Sequence, residues 1–211
     1  MKNPNNAVRL AAVLALAMPA VLIAAPKAKK APVGAVVPGD VAAGRVKSES
    51  ERCQECHGAE GNGNGLDGKF ARLAGQYPAY IAKQLQDFRS GARKHDYMMV
   101  MAQSLEEADI ADIAAYYGGL PVMRGDAAQG NVEAAPQLFA TCATCHGARG
   151  KGTGDAAFPV IGGQDAKYLR TQLLAWRSGE RRNSPGGAMN EAAKNLTDAE
   201  IEVLAHYISG M

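Results

Sequence analysis

The stretch CQECHG, residues 53–58, returns 89 residues later as CATCHG, residues 142–147. The 211-residue chain contains four cysteines, and all of them lie in these two stretches. Each stretch has a Cys-x-x-Cys pair followed directly by histidine and glycine. A motif that is used twice and holds every cysteine suggests that the surrounding sequence is duplicated as well.

The similarity extends well beyond the cysteine motif. LAGQYPAYIAKQL at 73–85 aligns with IGGQDAKYLRTQL at 161–173, at an offset of 88 residues. Further along, LEEADIADIAAYY at 105–117 aligns with LTDAEIEVLAHYI at 196–208, at an offset of 91 residues. Similarity across a whole unit of this size predicts two tandem copies of one domain.

The boundaries of the two copies follow from the ends of the aligned segments. We predict a first domain over residues 41–119 and a second over 135–211. Residues 120–134 contain glycine, proline and polar residues, which is typical of a linker. Residues 26–40 are predicted to be an unstructured spacer, and residues 1–25 an export signal.

The export signal is predicted from charge followed by an apolar run. Lys2 and Arg9 precede LAAVLALAMPAVLIAA at 10–25, and Ala24 and Ala25 offer a small-residue cleavage point. This run is 16 residues long, whereas a helix that spans a membrane needs about 20 apolar residues. The alternative is an uncleaved anchor that associates the protein with a membrane. Both interpretations deliver the domains outside the cytoplasm, and we expect the periplasm.

Both copies have the same predicted order of helices and no stretch with the two-residue period of a strand, so we predict an all-α fold. Apolar residues recur at helical spacing after each glycine-rich loop. Thr197 followed by Glu200 is a capping-box pattern for the last helix. The predicted helices are residues 41–52, Pro78–Ser90 and Glu106–Tyr117 in the first copy, and 133–141, Asp165–Ser178 and Thr197–Ser209 in the second.

Two cysteines separated by two residues and followed by histidine form the attachment sequence of c-type haem. The spacing places both thiols about one helical turn apart on one face, from which they can reach two vinyl groups on one porphyrin edge. The histidine then lies under the ring, where its imidazole can bind iron. The predicted attachment residues are Cys53, Cys56, Cys142 and Cys145, and the predicted iron ligands are His57 and His146.

Three other uses of paired cysteines compete with haem attachment. A single zinc ion would need four ligands from pairs that lie in separate repeats, and it would not require the adjacent histidine. A thioredoxin-like redox motif is expected within a βαβ pattern, which is missing from this sequence. Two short disulfides in an exported protein are the third alternative. Haem attachment explains the histidine as well as the cysteines, and we therefore prefer it.

The motifs together resemble the cytochrome c4 family. The resemblance covers about residues 39–211 and rests on the paired CxxCH motifs, the phrases LAGQ and IGGQ, and helices that end IAAYY and LAHYI. It implies two tandem class I cytochrome c domains, each wrapped around one covalently attached haem. It further implies that each iron has a proximal histidine and a distal methionine, and that the protein passes single electrons.

The repeat indicates which methionines could serve as distal ligands. Met189 is the one methionine between the second CxxCH motif and the last helix, and it lies seven residues before Leu196. In the first copy Met98 lies seven residues before Leu105, and we therefore predict Met98 as its counterpart, with Met101 as the competitor. Filling of the core is the expected role of Met99, Met101, Met123 and Met211.

The resemblance also implies that each proximal histidine donates a hydrogen bond to the protein backbone. In class I cytochromes a backbone carbonyl, usually of proline, accepts the imidazole N–H and orients the ring. Pro159 provides it in the second domain, but Ala71 stands at the equivalent position of the first. We expect the bond to persist there without the fixed φ of proline. A bis-histidine haem using His95 or His206 is disfavoured, because neither has a counterpart in the other copy.

Charge and ligation together restrict the function. The formal net charge is +2, and basic residues are interleaved with acidic ones, which disfavours binding to nucleic acid. With both axial positions of iron filled by protein, no site remains for a substrate, so we predict an electron carrier rather than an enzyme. The resemblance to the cytochrome c4 family implies an electron-donor complex and a terminal oxidase as partners. The alternatives are a cytochrome subunit of a dehydrogenase and a di-haem peroxidase.

Overall fold

The computed structural model describes residues 38–63, 70–125 and 132–211. Their regular secondary structure is entirely helical, with no strand, as the sequence pattern predicts. The predicted export signal, most of the spacer and the middle of the linker lie outside the described residues. No helix within the described ranges is both long enough and apolar enough to cross a membrane.

The first domain has five helices among its described residues. They are α1 (Val41–Ser50), α2 (Cys53–His57), α3 (Pro78–Ser90), α4 (Asp96–Gln103) and α5 (Glu107–Gly119). The single helix expected over 41–52 is interrupted, because Arg52 adopts the left-handed conformation with φ 60°. The sequence analysis did not predict α4. Its eight residues cover the apolar phrase YMMVM, which is too short for helical periodicity to be recognised.

Helix α1 packs closely along α5, and α3 packs against α5 and α4. The contact between α1 and α5 requires a glycine: a Cβ atom on Gly44 would lie 1.9 Å from the carbonyl oxygen of Asp112. The start of α1 is fixed by Asp40, whose carboxylate accepts a 2.8 Å hydrogen bond from the Ala43 N–H. The two chain ends of the first domain are thereby held together.

The second domain repeats this arrangement with four helices and one 3₁₀ turn in its described residues. They are α6 (Ala135–His146), α7 (Ala166–Ser178), the turn Pro185–Gly187, α8 (Ala188–Ala193) and α9 (Asp198–Ser209). Helix α6 runs without interruption through the cysteine motif, farther than the predicted end at residue 141. The capping box predicted at the last helix is confirmed, because Thr197 and Glu200 exchange side-chain-to-backbone hydrogen bonds.

Each domain has its own apolar core, and the cysteine motifs lie against these cores. Cys53 packs on the first cluster and Cys142 on the second. A third, smaller cluster contains Ala74 of the first domain, Val160 of the second and Met123 from the linker. The buried members of the two larger clusters are Ile81, Leu85, Leu105, Ile110, Ile113, Ala114, Tyr116 and Tyr117 in the first domain, and Phe139, Leu169, Leu204, Ala205 and Ile208 in the second.

Candidate haem sites

Both CxxCH histidines end their helices and are oriented by a backbone carbonyl. His57 Nδ1 lies 2.8 Å from the Ala71 oxygen, and His146 Nδ1 lies 2.8 Å from the Pro159 oxygen. Because a carbonyl can only accept, Nδ1 carries the proton and donates in both cases. The other ring nitrogen, Nε2, is then unprotonated and has the lone pair that a metal requires. The expected hydrogen bond from the imidazole to a backbone carbonyl is therefore confirmed in both domains, including the one that lacks proline.

The environment of each histidine keeps its imidazole neutral. Burial lowers the pKa of His57, although the hydrogen bond to Ala71 opposes the shift. Burial also lowers the pKa of His146, again against the effect of its bond to Pro159. A neutral imidazole is the form that binds metal, so both side chains are prepared as ligands by their surroundings.

All four cysteines of the chain are described, and no disulfide joins any two of them. Burial raises the pKa of Cys53 and of Cys142, the first cysteine of each motif. Within the described ranges, no three side chains among His, Cys, Asp and Glu are positioned to hold a metal ion. The arrangement therefore does not support the disulfide and zinc alternatives, and it leaves two pairs of thiols beside two neutral imidazoles.

The methionines predicted as distal ligands lie on short helices that follow α3 and α7. Met98 is half-buried on α4 and packs against the core cluster of the first domain. Met189 is half-buried in the first turn of α8, where its N–H donates to Ser184 Oγ at 3.1 Å. Met101 is also half-buried on α4. His95 is exposed and begins α4, as expected of a surface histidine.

These residues fit a haem attached through thioethers. Each domain offers two cysteine sulfurs on one helix, an imidazole with an unprotonated Nε2, and a half-buried methionine on a short helix, which in the first domain packs beside the core. Sulfur and imidazole ligands of this kind suit iron in a porphyrin and do not provide the oxygen-rich set preferred by magnesium or calcium. The fit is present twice, once in each domain.

The sequence analysis missed a polar cluster that crosses between the domains. Arg93 donates to Tyr168 Oη and to Gln172 Oε1 in the second domain, both at 2.9 Å. In return, Arg181 donates to Tyr80 Oη at 3.1 Å and to Gln84 Oε1 at 3.0 Å in the first domain. The cluster therefore has approximate two-fold symmetry.

Both guanidinium groups of this cluster are buried and stacked on an aromatic ring of their own domain. Arg93 lies 4.6 Å from the Phe88 ring centroid, and Arg181 lies 4.3 Å from that of Trp176. Burial would raise the pKa of Tyr168, but the charges of the two arginines, together with their hydrogen bonds, outweigh it and lower that pKa. The repeat alignment contained the signal for this cluster, since its members recur at the same offset of 88 residues.

A tandem pair of helical domains, each with a CxxCH helix and an oriented histidine, defines the class as a two-domain c-type cytochrome. A family profile described as "Cytochrome c" matches residues 41–120 and 132–211. A cytochrome c4 of Thiocapsa roseopersicina is 36% identical over 183 residues, covering 82% of this chain and 93% of that protein. A protein of Stutzerimonas stutzeri named "Thiosulfate dehydrogenase electron acceptor" is 38% identical over 172 residues, covering 75% and 78%.

Solved structures agree with the sequence relatives. Reduced recombinant cytochrome c4 from Pseudomonas stutzeri superposes with a TM-score of 0.72 at 34% identity, covering 82% of this chain and 99% of that one. A thiosulfate dehydrogenase from Marichromatium purpuratum also has a TM-score of 0.72, at 36% identity, over 80% of this chain and 40% of that longer chain. The chain belongs to the cytochrome c family, within its cytochrome c4 group, and its cofactors are two covalently bound haem c groups.

Proposed function

We propose that each domain holds one haem through two cysteines, one histidine and one methionine. The cysteine sulfurs would form the thioether bonds, and the histidine Nε2 and the methionine sulfur would bind the iron. A haem ligated in this way supplies one-electron exchange between ferric and ferrous iron at a comparatively high potential. The proposed residues are Cys53, Cys56, His57 and Met98 in the first domain, and Cys142, Cys145, His146 and Met189 in the second.

Packing supports Met98 over Met101 as the ligand of the first domain. Met98 contacts the core cluster that also receives Cys53 of the attachment motif. It is also the residue that aligns with Met189, the one candidate in the second domain. A thioether ligand must lie on the core side of its helix, since the haem replaces apolar filling there.

The ligand assignment is tested by removing one sulfur at a time. Met98→Ala should abolish the weak near-red absorption of methionine bound to ferric iron in one of the two haems, and Met101→Ala should preserve it. Met189→Ala serves as the matched variant in the second domain and should remove the other half of the band. Loss of the band in Met101→Ala and its retention in Met98→Ala would reverse the assignment.

The whole protein, in our proposal, is a periplasmic electron carrier that accepts and donates single electrons and catalyses no reaction of its own. The supporting observation is that both imidazoles have the same environment. Each is neutral, and its Nδ1 atom lies 2.8 Å from a backbone carbonyl oxygen. With a methionine sulfur as the other protein ligand in each domain, the iron would be fully ligated by protein and would have no position for a substrate. The respiratory role proposed is delivery of electrons toward a terminal oxidase.

A second candidate function is acceptance of electrons from a thiosulfate dehydrogenase. Proteins named "Thiosulfate dehydrogenase electron acceptor" match this chain at 38% and 35% identity. A solved thiosulfate dehydrogenase contains a segment with the same fold as this chain. Under this alternative the carrier chemistry is unchanged, and only the electron donor differs.

Rapid mixing of the purified, haem-loaded protein with candidate donors distinguishes these functions. We expect reduction of both haems by a quinol-oxidising cytochrome complex and reoxidation by a terminal oxidase. Fast reduction by a thiosulfate dehydrogenase with thiosulfate, and not by the quinol-oxidising complex, would establish the second candidate. A high-spin spectrum that changes on adding peroxide or cyanide, with peroxide turnover, would contradict both and indicate a peroxidase.

A further inference from the structure

The glutamines of the LAGQ and IGGQ phrases, Gln76 and Gln164, are buried and have no role in the function described above. They are equivalent in the two repeats, at an offset of 88 residues, and each is only 5% exposed. Each side chain leaves its own domain and binds the backbone of the other. A buried amide side chain has to satisfy its donor and its acceptor, and here both partners are supplied across the domain interface.

Each glutamine makes a two-point contact with one residue of the other domain. Gln164 Oε1 accepts from the Arg72 N–H at 2.7 Å, and its Nε2 donates to the Arg72 oxygen at 2.9 Å. Gln76 Oε1 accepts from the Val160 N–H at 3.0 Å, and its Nε2 donates to the Val160 oxygen at 2.8 Å. Arg72 and Val160 are themselves equivalent in the repeat, so the exchange is reciprocal.

The peptide groups contacted in this way are those that hold the proximal histidines. The Ala71 carbonyl and the Arg72 N–H are the two ends of one peptide group. That carbonyl accepts from His57 Nδ1, and the N–H of the same group donates to Gln164. A continuous chain of hydrogen bonds therefore runs from a histidine of the first domain to a glutamine of the second.

The second domain has an equivalent series of hydrogen bonds that runs in the opposite direction between the domains. The Pro159 carbonyl accepts from His146 Nδ1, and the Val160 N–H of the same peptide group donates to Gln76 of the first domain. The orientation of each glutamine is also fixed from its own domain. Gln76 Oε1 accepts from the Tyr77 N–H, and Gln164 Oε1 from the Asp165 N–H, both at 3.0 Å.

Hydrogen bonds in series polarise one another, so an acceptor on a peptide N–H makes the carbonyl of that peptide a stronger acceptor. A stronger acceptor on Nδ1–H raises the basicity of the imidazole as a metal ligand. A more basic ligand favours ferric over ferrous iron. From this geometry we propose that Gln164 and Gln76 are positioning residues that act in trans, each lowering the reduction potential of the haem in the other domain.

A shift in the potential of the haem in the other domain distinguishes this role from a contact that only holds the domains together. The proposal rests on the two bound haems of the proposed function but not on the identity of the redox partners. A failure of the carrier function would be detected beforehand, as an open iron site in the spectrum of the unchanged protein. A failure of the present proposal would leave that spectrum intact and appear only in the potentials of variants.

The direct test measures both midpoint potentials of the haem-loaded protein carrying Gln164→Met, which keeps the length of the side chain but removes its acceptor. We expect the ratio of ferrous to ferric iron in the first haem, at a fixed applied potential, to rise at least threefold. This corresponds to a rise of about 28 mV in its midpoint potential, at 59 mV per tenfold change. The second haem should move less than half as far. Gln76→Met should give the opposite pattern, with the larger shift in the second haem. The haems are distinguished by NMR contacts between their protons and Cys53 or Cys142.

Gln86→Met is the matched control, because this exposed glutamine on α3 bonds Glu107 and neither histidine-bearing peptide. It should move neither potential. A spectroscopic readout accompanies the potentials: in Gln164→Met the Nδ1–H proton of His57 should shift upfield, as expected for a weaker hydrogen bond, and that of His146 should not. If both haems move equally, or if the haem of the mutated domain moves more, the glutamines act only as structural contacts and the proposal is wrong.

A second variant covers the case in which Gln164→Met fails to fold. Gln164→Glu retains the acceptor and the side-chain length and places a charge beside Arg72. A carboxylate is the stronger acceptor, so the potential of the first haem should fall, with a larger shift than that of the second haem. An unchanged first haem, or a larger shift in the second, would overturn the proposal.

Discussion

The two domains differ least in the hydrogen bond of the proximal histidine and most in the residues that surround the attachment motifs. The bond from Nδ1 to a carbonyl is 2.8 Å in both, although one carbonyl belongs to alanine and the other to proline. Helices α3 and α7 both have 13 residues and both end at a glycine in the left-handed conformation. The comparison shows that the two copies share the hydrogen bond and the helices that orient the histidine. The residue that provides the carbonyl differs between them.

The surroundings of the two attachment motifs have diverged. In the first domain a break at Arg52 separates α1 from α2, whereas α6 is continuous. A buried Tyr117 hydroxyl lies 2.8 Å from Ser48 Oγ beside the first motif, and the equivalent of Tyr117 in the second domain is the apolar Ile208. The first site therefore contains a buried polar pair that the second lacks at this position, so the two haems have different environments.

Removal of a proximal histidine should have the largest effect of the changes considered, and it should alter the spectrum of one haem only. His57→Ala is expected to eliminate the low-spin spectrum of the first haem while leaving the second unchanged, and His146→Ala should do the reverse. The reason is that each ring is oriented by a carbonyl of its own domain and presents its Nε2 atom as the proposed iron ligand of that domain. Absorption spectra together with intact mass measure the outcome. Two unaltered low-spin haems in either variant would show that the proximal assignment is wrong.

Replacing one arginine of the interdomain cluster with a neutral residue should have the next largest effect. The loss in the free energy of unfolding should be similar for Arg93 and for Arg181. Arg93→Gln removes three hydrogen bonds of 2.9 Å from a buried cation. We expect the free energy of unfolding to fall by on the order of 2 kcal/mol, and Arg181→Gln to cost about as much. Denaturant unfolding of the haem-loaded protein provides the measurement.

The control for these variants is Arg170→Gln, which removes a half-exposed ion pair with Glu202 and should cost less than about 1 kcal/mol. The double variant of Arg93 and Arg181 should cost less than the sum of the single variants, because both side chains donate to Gln84 and Gln172. Simple additivity would indicate two independent contacts.

Tyr117→Phe sharpens the contrast between the two attachment sites. It removes the hydroxyl that bonds Ser48, which is fully buried, and we expect a loss of about 1 kcal/mol in the free energy of unfolding. Adding Ser48→Ala should recover part of the loss, because no buried hydroxyl then remains without its partner. The first haem alone should show a change in its spectrum or potential. An equal response of the second haem would contradict the assignment of this pair to the first site.

Acidification should produce the smallest difference between the domains. The pKa of Glu107, at the start of α5, is lowered by hydrogen bonds from Gln86 and Arg89. At the start of α9, the pKa of Asp198 is lowered by Arg177 and that of Glu200 by Thr197. A lowered folded pKa contributes stability that is complete above the ordinary value of about 4 and is lost as the pH falls through the lowered value.

Unfolding monitored between pH 7 and pH 3 tests this linkage. The share of stability contributed by these carboxyls should decline only below about pH 5, and Glu200→Gln should make the decline in that range shallower because one carboxyl with a lowered pKa is removed. Glu60→Gln, at an exposed position outside the helix starts, is the control and should leave the slope unchanged. A decline that is as steep in Glu200→Gln as in the unchanged protein would contradict the contribution of this carboxyl.

Much of the site could be predicted from the sequence because its determinants are local. Cysteines and histidine of each motif lie within five consecutive residues, and helical geometry alone brings them to one face. The main helices and the capping box at Thr197 follow from periodicity and from neighbours three or four residues apart. Helices α4 and α8 were missed because eight and six residues are too few for a periodic signal.

The sequence by itself thus determined the duplication, the helical class, the covalent haem sites and the candidate ligands. Only the tertiary structure revealed how the copies meet: Gln164 on the peptide that holds His57, Gln76 on the peptide that holds His146, and Arg93 facing Arg181. The physical reason is that these bonds join residues 75 to 92 positions apart in the chain. No local pattern encodes such a contact, since it depends on where the surfaces of the two domains meet.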